Sequence, residues 1–314
     1  MGRVTKKAKA KAPKTAKPSA PDLLFSRVWV GQRDLVWVLA QDEGGHTSRF
    51  LQYKAGKWKH LAFRWSGIAL TATVEPRKDL IVVGAAGQAL HGTPTGFADE
   101  HLDPSKSGPE FNGVIRDARF IGPNVIAVGM SRQAYRREQT GRWVHIDRGV
   151  LATPRDMVGF NAVDGFAPED LYAVGLKGEI WHHDGQNWRQ EKSQTQVALH
   201  RVRCFPGENG GVYACGAGGA LLRRGADGFE VLARGSTSDN LYGLEWFEGK
   251  LYVAGLTALY VLEGDALRPV DVRLGEGATF GDLHTGDGVM WSVGARHILF
   301  TENAADWARL FYSE

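Results

Sequence analysis

The chain has 314 residues, of which 40 are Gly, 12 Pro, 10 Trp and only 2 Cys, with 43% apolar residues and a formal charge of +3. So much glycine argues against a mainly helical chain. Two cysteines exclude a disulfide framework and a paired-cysteine zinc site, and no apolar run approaches the roughly 20 residues that cross a bilayer. With no apolar leader at the N-terminus either, a cytoplasmic protein with no membrane association is expected.

Residues 1–22 hold Arg3 and the lysines 6, 7, 9, 11, 14 and 17 against the single acid Asp22, so the remainder of the chain carries a slight acidic excess. The stretch from Lys6 to Lys14 has no large apolar residue whose burial would offset the entropy of ordering it. It is predicted to be a disordered basic tail. Clustered lysines make non-specific contact with a polyanion by releasing counterions; the simpler role is a solubilising extension.

From residue 23 onward the sequence repeats. Short β-branched runs closing on glycine lie at 81–84, 126–129, 172–175, 213–216, 252–255 and 291–294, and 37–40 is a seventh copy closing on Ala40. The intervals run from 39 to 46 residues. A second marker keeps time with the first: Trp58, Phe97, Trp143, Trp188, Phe229, Leu267 and Trp307. A third precedes each run: Phe25, Trp65, Phe111, Phe160, Leu199, Leu241 and Phe280. Each copy then reads as four short strands divided by turn residues, and four strands per unit of roughly 40 residues describes a propeller blade.

The predicted fold is all-β, a seven-bladed β-propeller of four-stranded antiparallel blades. The blades fall at approximately 23–63, 64–103, 110–148, 158–193, 197–234, 239–273 and 278–314. The recurring Trp or Phe of the fourth strand is expected to wedge between sheets, and the repeated glycine to sit where the chain turns tightly. Because the first and last copies are each complete, no strand is left to share, and the ring is predicted to close without strand exchange. Leu23 and Leu24 extend the seam between blades 7 and 1.

The segment from Asp170 to Trp188, with Asp184-Gly185 before Trp188, resembles the bacterial propeller repeats grouped with Asp-box, photosystem-assembly-factor and WD40/YVTN-like families. The resemblance is close over this copy and degenerate over the other six. It implies a peripheral turn for the box and says little of function. Among bacterial propellers of this kind it implies adaptors, assembly factors, or immunity proteins that cover a toxin's active site.

Chemistry-bearing motifs are scarce. Sialidases share propellers and Asp boxes, and Arg27, Arg64 and Arg201 fall near the first strands of different blades, but no Tyr/Glu pair accompanies them. His182 and His183 alternate across a strand and cannot both reach one ion. No Gly-x-Ser-x-Gly elbow, phosphate loop or His-Glu-x-x-His occurs. No catalytic residue, cofactor or metal is assigned, and Cys204 and Cys215 are expected to be buried, inert thiols.

Loops from a fourth strand to the next first strand share one face with those joining second to third strands, and long loops on a rigid scaffold carry binding residues. The longest connections run from Phe97 to Phe111 and from Trp143 to Phe160. The candidate partner-binding residues are Asp42, Glu43 and His46 from the second-to-third-strand loop of blade 1, where Trp58 follows Ala40 by about five residues more than in the other copies, then Asp99, Glu100, His101, Lys106 and Glu110. Arg148, Arg155 and Asp156 follow, with Asn112, Asn161, His200 and Tyr242 at the channel mouth. A mixed-charge rim of this kind suits protein recognition. The leading expectation is a non-catalytic intracellular protein-binding propeller. Its acidic body would suit a basic partner, such as a nuclease toxin. The alternatives are a carbohydrate-binding or glycan-cleaving propeller, which needs Trp65, Phe111, Phe160 and Phe280 exposed, and a nucleic-acid-associated scaffold working through the tail.

Overall fold

A computed structural model describes residues 23–313 except 46, 76, 77, 209, 275 and 276. The predicted tail and His46 therefore lie outside the described residues. Seven four-stranded antiparallel sheets are built from consecutive strands, spanning 23–63, 67–101, 115–145, 160–190, 199–232, 241–269 and 282–310. In each, the strand first in sequence packs against the first strands of both neighbouring blades, and the first strand of blade 1 touches those of blades 2 and 7. The ring is closed, and no strand is exchanged between blades.

Closure instead uses small, specific contacts at the seam. Leu23 is buried with Val28, Trp291 and Ile298 in one cluster shared by blades 1 and 7. Phe25 donates its N–H to the Ala295 carbonyl at 3.0 Å, the Trp58 indole donates to the Phe311 carbonyl at 3.1 Å, and Tyr312 Oη lies 2.8 Å from His60 Nδ1. Apolar clusters of this type recur between blades, with Phe229 and Leu267 buried in two of them and Trp188 in a third. Each buried aromatic wedge contributes about 2–3 kcal/mol by area.

The repeated glycine has a different cause from the one expected. Gly175 and Gly216 have φ of −163° and −168°, extended backbone rather than a tight turn. What they supply is space. A Cβ on Gly175 would lie 1.9 Å from the Gly159 carbonyl oxygen, one on Gly216 2.2 Å from that of Ala198, and one on Gly294 1.6 Å from that of Thr279. At these three blades the last residue of the second strand passes directly against the chain entering the first, and no side chain fits between them.

The axis of the ring is filled by charge. Register along the inner strands stacks two tiers. One holds Arg27, Asp117, Arg201 and Asp282, each opposite the residue just before the blade's closing glycine or alanine. The other holds Arg119, Asp164, Arg203, Glu245 and His284, two residues further along. Arg201 reaches Asp282 at 2.8 Å and Asp117 at 3.6 Å; Arg203 reaches Asp164 at 3.1 Å and also binds Glu245; Arg119 reaches Asp164 at 2.9 Å. The carboxylates also accept backbone N–H groups of the following blade, Val163 on Asp117, Cys204 on Asp164 and Val28 on Asp282. The network thus ties non-adjacent blades across the axis and adjacent blades around it. Burial opposes the charge on Arg201 and Arg203, but the facing carboxylates outweigh it and raise both above the ordinary value. Burial and the surrounding arginines hold His284 well below its own, so that it is neutral and accepts the Val30 N–H at 3.1 Å.

Candidate functional site: the loop-bearing face

Two long connections define this face, the chain from 102 to 114, which includes a short helix at Pro109–Asn112, and the chain from 146 to 159 with a 3-10 turn at Pro154–Asp156. Between them lies the hairpin turn of blade 3, where Ser131 and Arg132 both adopt left-handed backbone at φ +57°. Ser131 is buried and serves as a hub. Its hydroxyl donates to the Asn112 carbonyl at 2.8 Å, its N–H to the Val158 carbonyl at 2.9 Å, and its own carbonyl accepts from the Ala152 N–H at 2.8 Å. Gln133 adds a side-chain bond to the Gly113 carbonyl at 2.8 Å.

Further bonds brace the two long loops. His145 bridges Asp103 at 2.9 Å and Asp147 at 3.2 Å. Burial works against its charge, yet the two carboxylates raise it above the ordinary histidine value. Arg132 forms a two-pronged pair with Glu179 at 2.7 and 2.8 Å while lying over the Trp181 ring. Lys177, also left-handed at φ +58°, donates to the Asp156 carbonyl at 3.1 Å. Asp156 itself closes a capping box on Thr153. Loops of this length would be mobile if left to solvent; here backbone carbonyls and paired charges hold them against three blades.

The expected rim residues divide into three groups. Lys106, Glu110, Arg148, Arg155 and Asp156 are exposed on the two long loops, and Glu43 is exposed in an ion pair with Arg296 of blade 7. Asn112, Asn161, His200, Tyr242, Asp42 and His101 are partly buried and take structural bonds or packing. Asn161 donates to the Leu199 carbonyl and His200 to the Leu241 carbonyl, so the same strand position stitches blade 4 to blade 5 and blade 5 to blade 6; the His200 ring stacks on Tyr242 at 4.7 Å. Asp99 and Glu100 depart from expectation. Both lie on the outer strand Gly96–His101 rather than in a loop, and Glu100 is buried, bound by Arg137 at 2.6 and 2.9 Å and by the Trp143 indole at 3.0 Å.

Several residues of this face were not expected. Six of the nine exposed large apolar side chains among the described residues fall on its loops: Phe111, Val114, Leu151, Met157, Val197 and Leu256. Met157 is 67% exposed with a left-handed backbone, a conformation an unbranched apolar residue rarely adopts. Arg116 and Lys177 add exposed positive charge on the same face. The available sequence signal was the short apolar residue just before each inner strand, as at Val114 and Val197.

Other candidate chemistries are not assembled. Arg27 and Arg201 meet in the axial network, but Arg64 is exposed on the chain between blades 1 and 2. The residual void at the axis is about 20 Å³, room for a single water. Phe160 and Phe280 are buried, Trp65 is partly so, and only Phe111 of the four aromatics stands clear. His182 is held by Asp170 at 2.8 Å and His183 is buried against Trp188, and among the described residues no group of three metal-ligating side chains occurs. Burial raises both thiols, Cys215 to about 12. The Asp184 carboxylate accepts the Gln186 and Asn187 N–H groups, so the weakened Asp box is a peripheral turn.

No protein-family model matches the sequence. Among solved structures, the chain is similar to YCF48 from Cyanidioschyzon merolae, with a TM-score of 0.68 and 15% identity covering 90% of this chain and 96% of that one. It is also similar to the WD40 β-propeller domain of Doa1, with a TM-score of 0.65 and 13% identity covering 94% and 95%. At such identities the likeness is one of fold. It agrees with the propeller resemblance read from the sequence. In sequence the chain is 36% identical over 248 residues to the immune protein Tsi7 of Pseudomonas aeruginosa, covering 78% of this chain and 80% of that protein. Identity of that level over 248 residues exceeds what a shared fold alone produces, and the chain belongs to the family of the immune protein Tsi7.

Proposed function

We propose that this chain is a cytoplasmic immunity protein that binds a protein toxin through its loop-bearing face and neutralises it by covering it, with no catalysis of its own. The observation that carries the reading is the 36% identity with an immune protein across 78% of the chain. Three features of the molecule support it. The axis, where a propeller enzyme would hold a substrate, is filled by paired charges around a void of about 20 Å³. Six of the nine exposed large apolar side chains among the described residues lie on the loops of one face. Both cysteines are free and buried, as a reducing compartment leaves them.

The test is protection. The gene beside this one is expected to encode the toxin. Its product, expressed alone in a heterologous bacterium, is expected to arrest growth. Co-expression with this chain restores growth, and the two proteins elute together on size exclusion. Growth arrest unrelieved by the chain, with no complex formed, would overturn the reading.

A further inference from the structure

We infer that the contact centre on this face is the patch formed by Phe111, Val114 and Met157 among Arg116, Arg148 and Arg155, and that it takes an acidic-rimmed apolar surface of the toxin. This rests on the immunity reading and deepens it. The patch is one unit because its parts are bonded together. Ser131 ties the loop carrying Phe111 to the loop carrying Met157. A guanidinium N–H of Arg116 lies 3.7 Å from the Met130 sulfur, and Met130 in turn bridges to Gly159.

Its charge is opposite to that of the body as a whole. Around the apolar centre, Lys106, Arg116, Arg148 and Arg155 are exposed, and among the described residues none of the four is in an ion pair. The acids nearby are mostly spent. Asp147 and Glu179 are buried on His145 and Arg132, and Asp103 is bound by His145. Glu110 and Asp156 remain exposed without an ion pair there, against the four exposed cations. The overall acidic excess therefore misleads about the partner. Exposed cations outnumber exposed acids at this patch, and complementarity is set by local potential rather than by net charge. Arginine beside exposed apolar side chains is also the composition of interface hot spots.

Backbone conformation points to the same place. Four of the ten non-glycine residues with positive φ, namely Ser131, Arg132, Met157 and Lys177, belong to this patch and its edge. Strained backbone that the surrounding bonds enforce is found where side chains are aimed outward for binding.

The experiment measures affinity for the purified product of the adjacent toxin gene, inactivated in its own active site, using the full chain. R148E/R155E and R116E are expected to weaken binding at least tenfold and to flatten its dependence on salt. F111A/M157A is expected to weaken it at least tenfold with the salt dependence unchanged. F166A, an exposed aromatic on the opposite face, serves as the control and binds like the unmodified chain. All these side chains are exposed, so thermal unfolding is expected to be unaltered and confirms folding. Unmodified chain that binds while every patch variant binds equally well overturns this inference alone. Charge reversal that tightens binding overturns it as well, by assigning a basic partner surface. Failure of the unmodified chain to bind or protect defeats the immunity reading first.

Discussion

Ser131 Oγ donates a 2.8 Å hydrogen bond to the backbone carbonyl of Asn112, from a turn position whose backbone is left-handed. With the Gln133 bond to the Gly113 carbonyl, this side-chain bond joins the blade 3 hairpin to the connection carrying Phe111. Removing it with Ser131→Ala leaves a carbonyl to be satisfied by water, at about 1 kcal/mol. The cost is local. Amide exchange is expected to quicken over residues 108–114 while the unfolding midpoint in urea moves little. Ser131→Val is expected to be worse, because a β-branched residue resists positive φ. Equal protection of those amides in both variants would remove Ser131 as the hub.

The His145 bridge makes the same loop sensitive to pH. Asp103 and Asp147 raise the folded-state value above the ordinary one against the opposing effect of burial. A raised cationic group contributes stability that is fully present below its unfolded value, near 6.5, and lost as pH climbs through the folded value. Cleavage of the 102–114 connection by a protease is therefore expected to be slow at pH 6 and faster at pH 8. His145→Gln is expected to abolish that difference without unfolding the ring.

Much of the ring was legible because it depends on period. Anchors spaced 39 to 46 residues apart place every blade, and the completeness of the first and last copies foretells closure without exchange. The wedge rule held for Trp188, Phe229 and Leu267, but Phe97 is 53% exposed, because a repeat position does not say whether the neighbouring sheet reaches it. Phe111 marks a helical turn rather than a strand, displaced by the long connection around it. The axial tiers carry a period-two signal on the inner strands, as in Arg201/Arg203 and Asp117/Arg119, hidden because the partners lie 39 to 84 residues apart. Which charges stay free on the loop-bearing face was not legible. It depends on which acids are already bound, as Glu100 and Asp147 are, and pairing of that kind exists only in three dimensions.

The axial pairs predict an asymmetric cost of mutation. Arg201→Met removes the partner of Asp282 and Asp117 and leaves two carboxylates buried. Breaking a buried pair from one side costs about 3–5 kcal/mol, and the loss should appear as a lower urea midpoint. The triple variant Arg201→Met, Asp117→Asn, Asp282→Asn is expected to recover part of that loss, because amides carry no charge and still accept the Val163 and Val28 N–H groups. A triple variant less stable than Arg201→Met alone would show that the ions act through something other than charge balance.

The glycine anchors give a graded series. Gly175→Ala drives a methyl group to 1.9 Å from the Gly159 carbonyl oxygen, backbone that cannot move without opening the blade. Overpacking of that kind costs about 3 kcal/mol. At Gly84 the nearest atoms are side chains instead, Gln88 Oε1 and the Trp65 ring at 2.7 Å. These can turn aside, and alanine recovers about 0.5–1 kcal/mol of backbone entropy, so Gly84→Ala is expected to cost clearly less. Blade 1 already carries the experiment, since Ala40 occupies the anchor position there and is fully buried. Denaturant titration of the two variants side by side decides it: equal losses would mean that the anchors are held by backbone conformation, not by space.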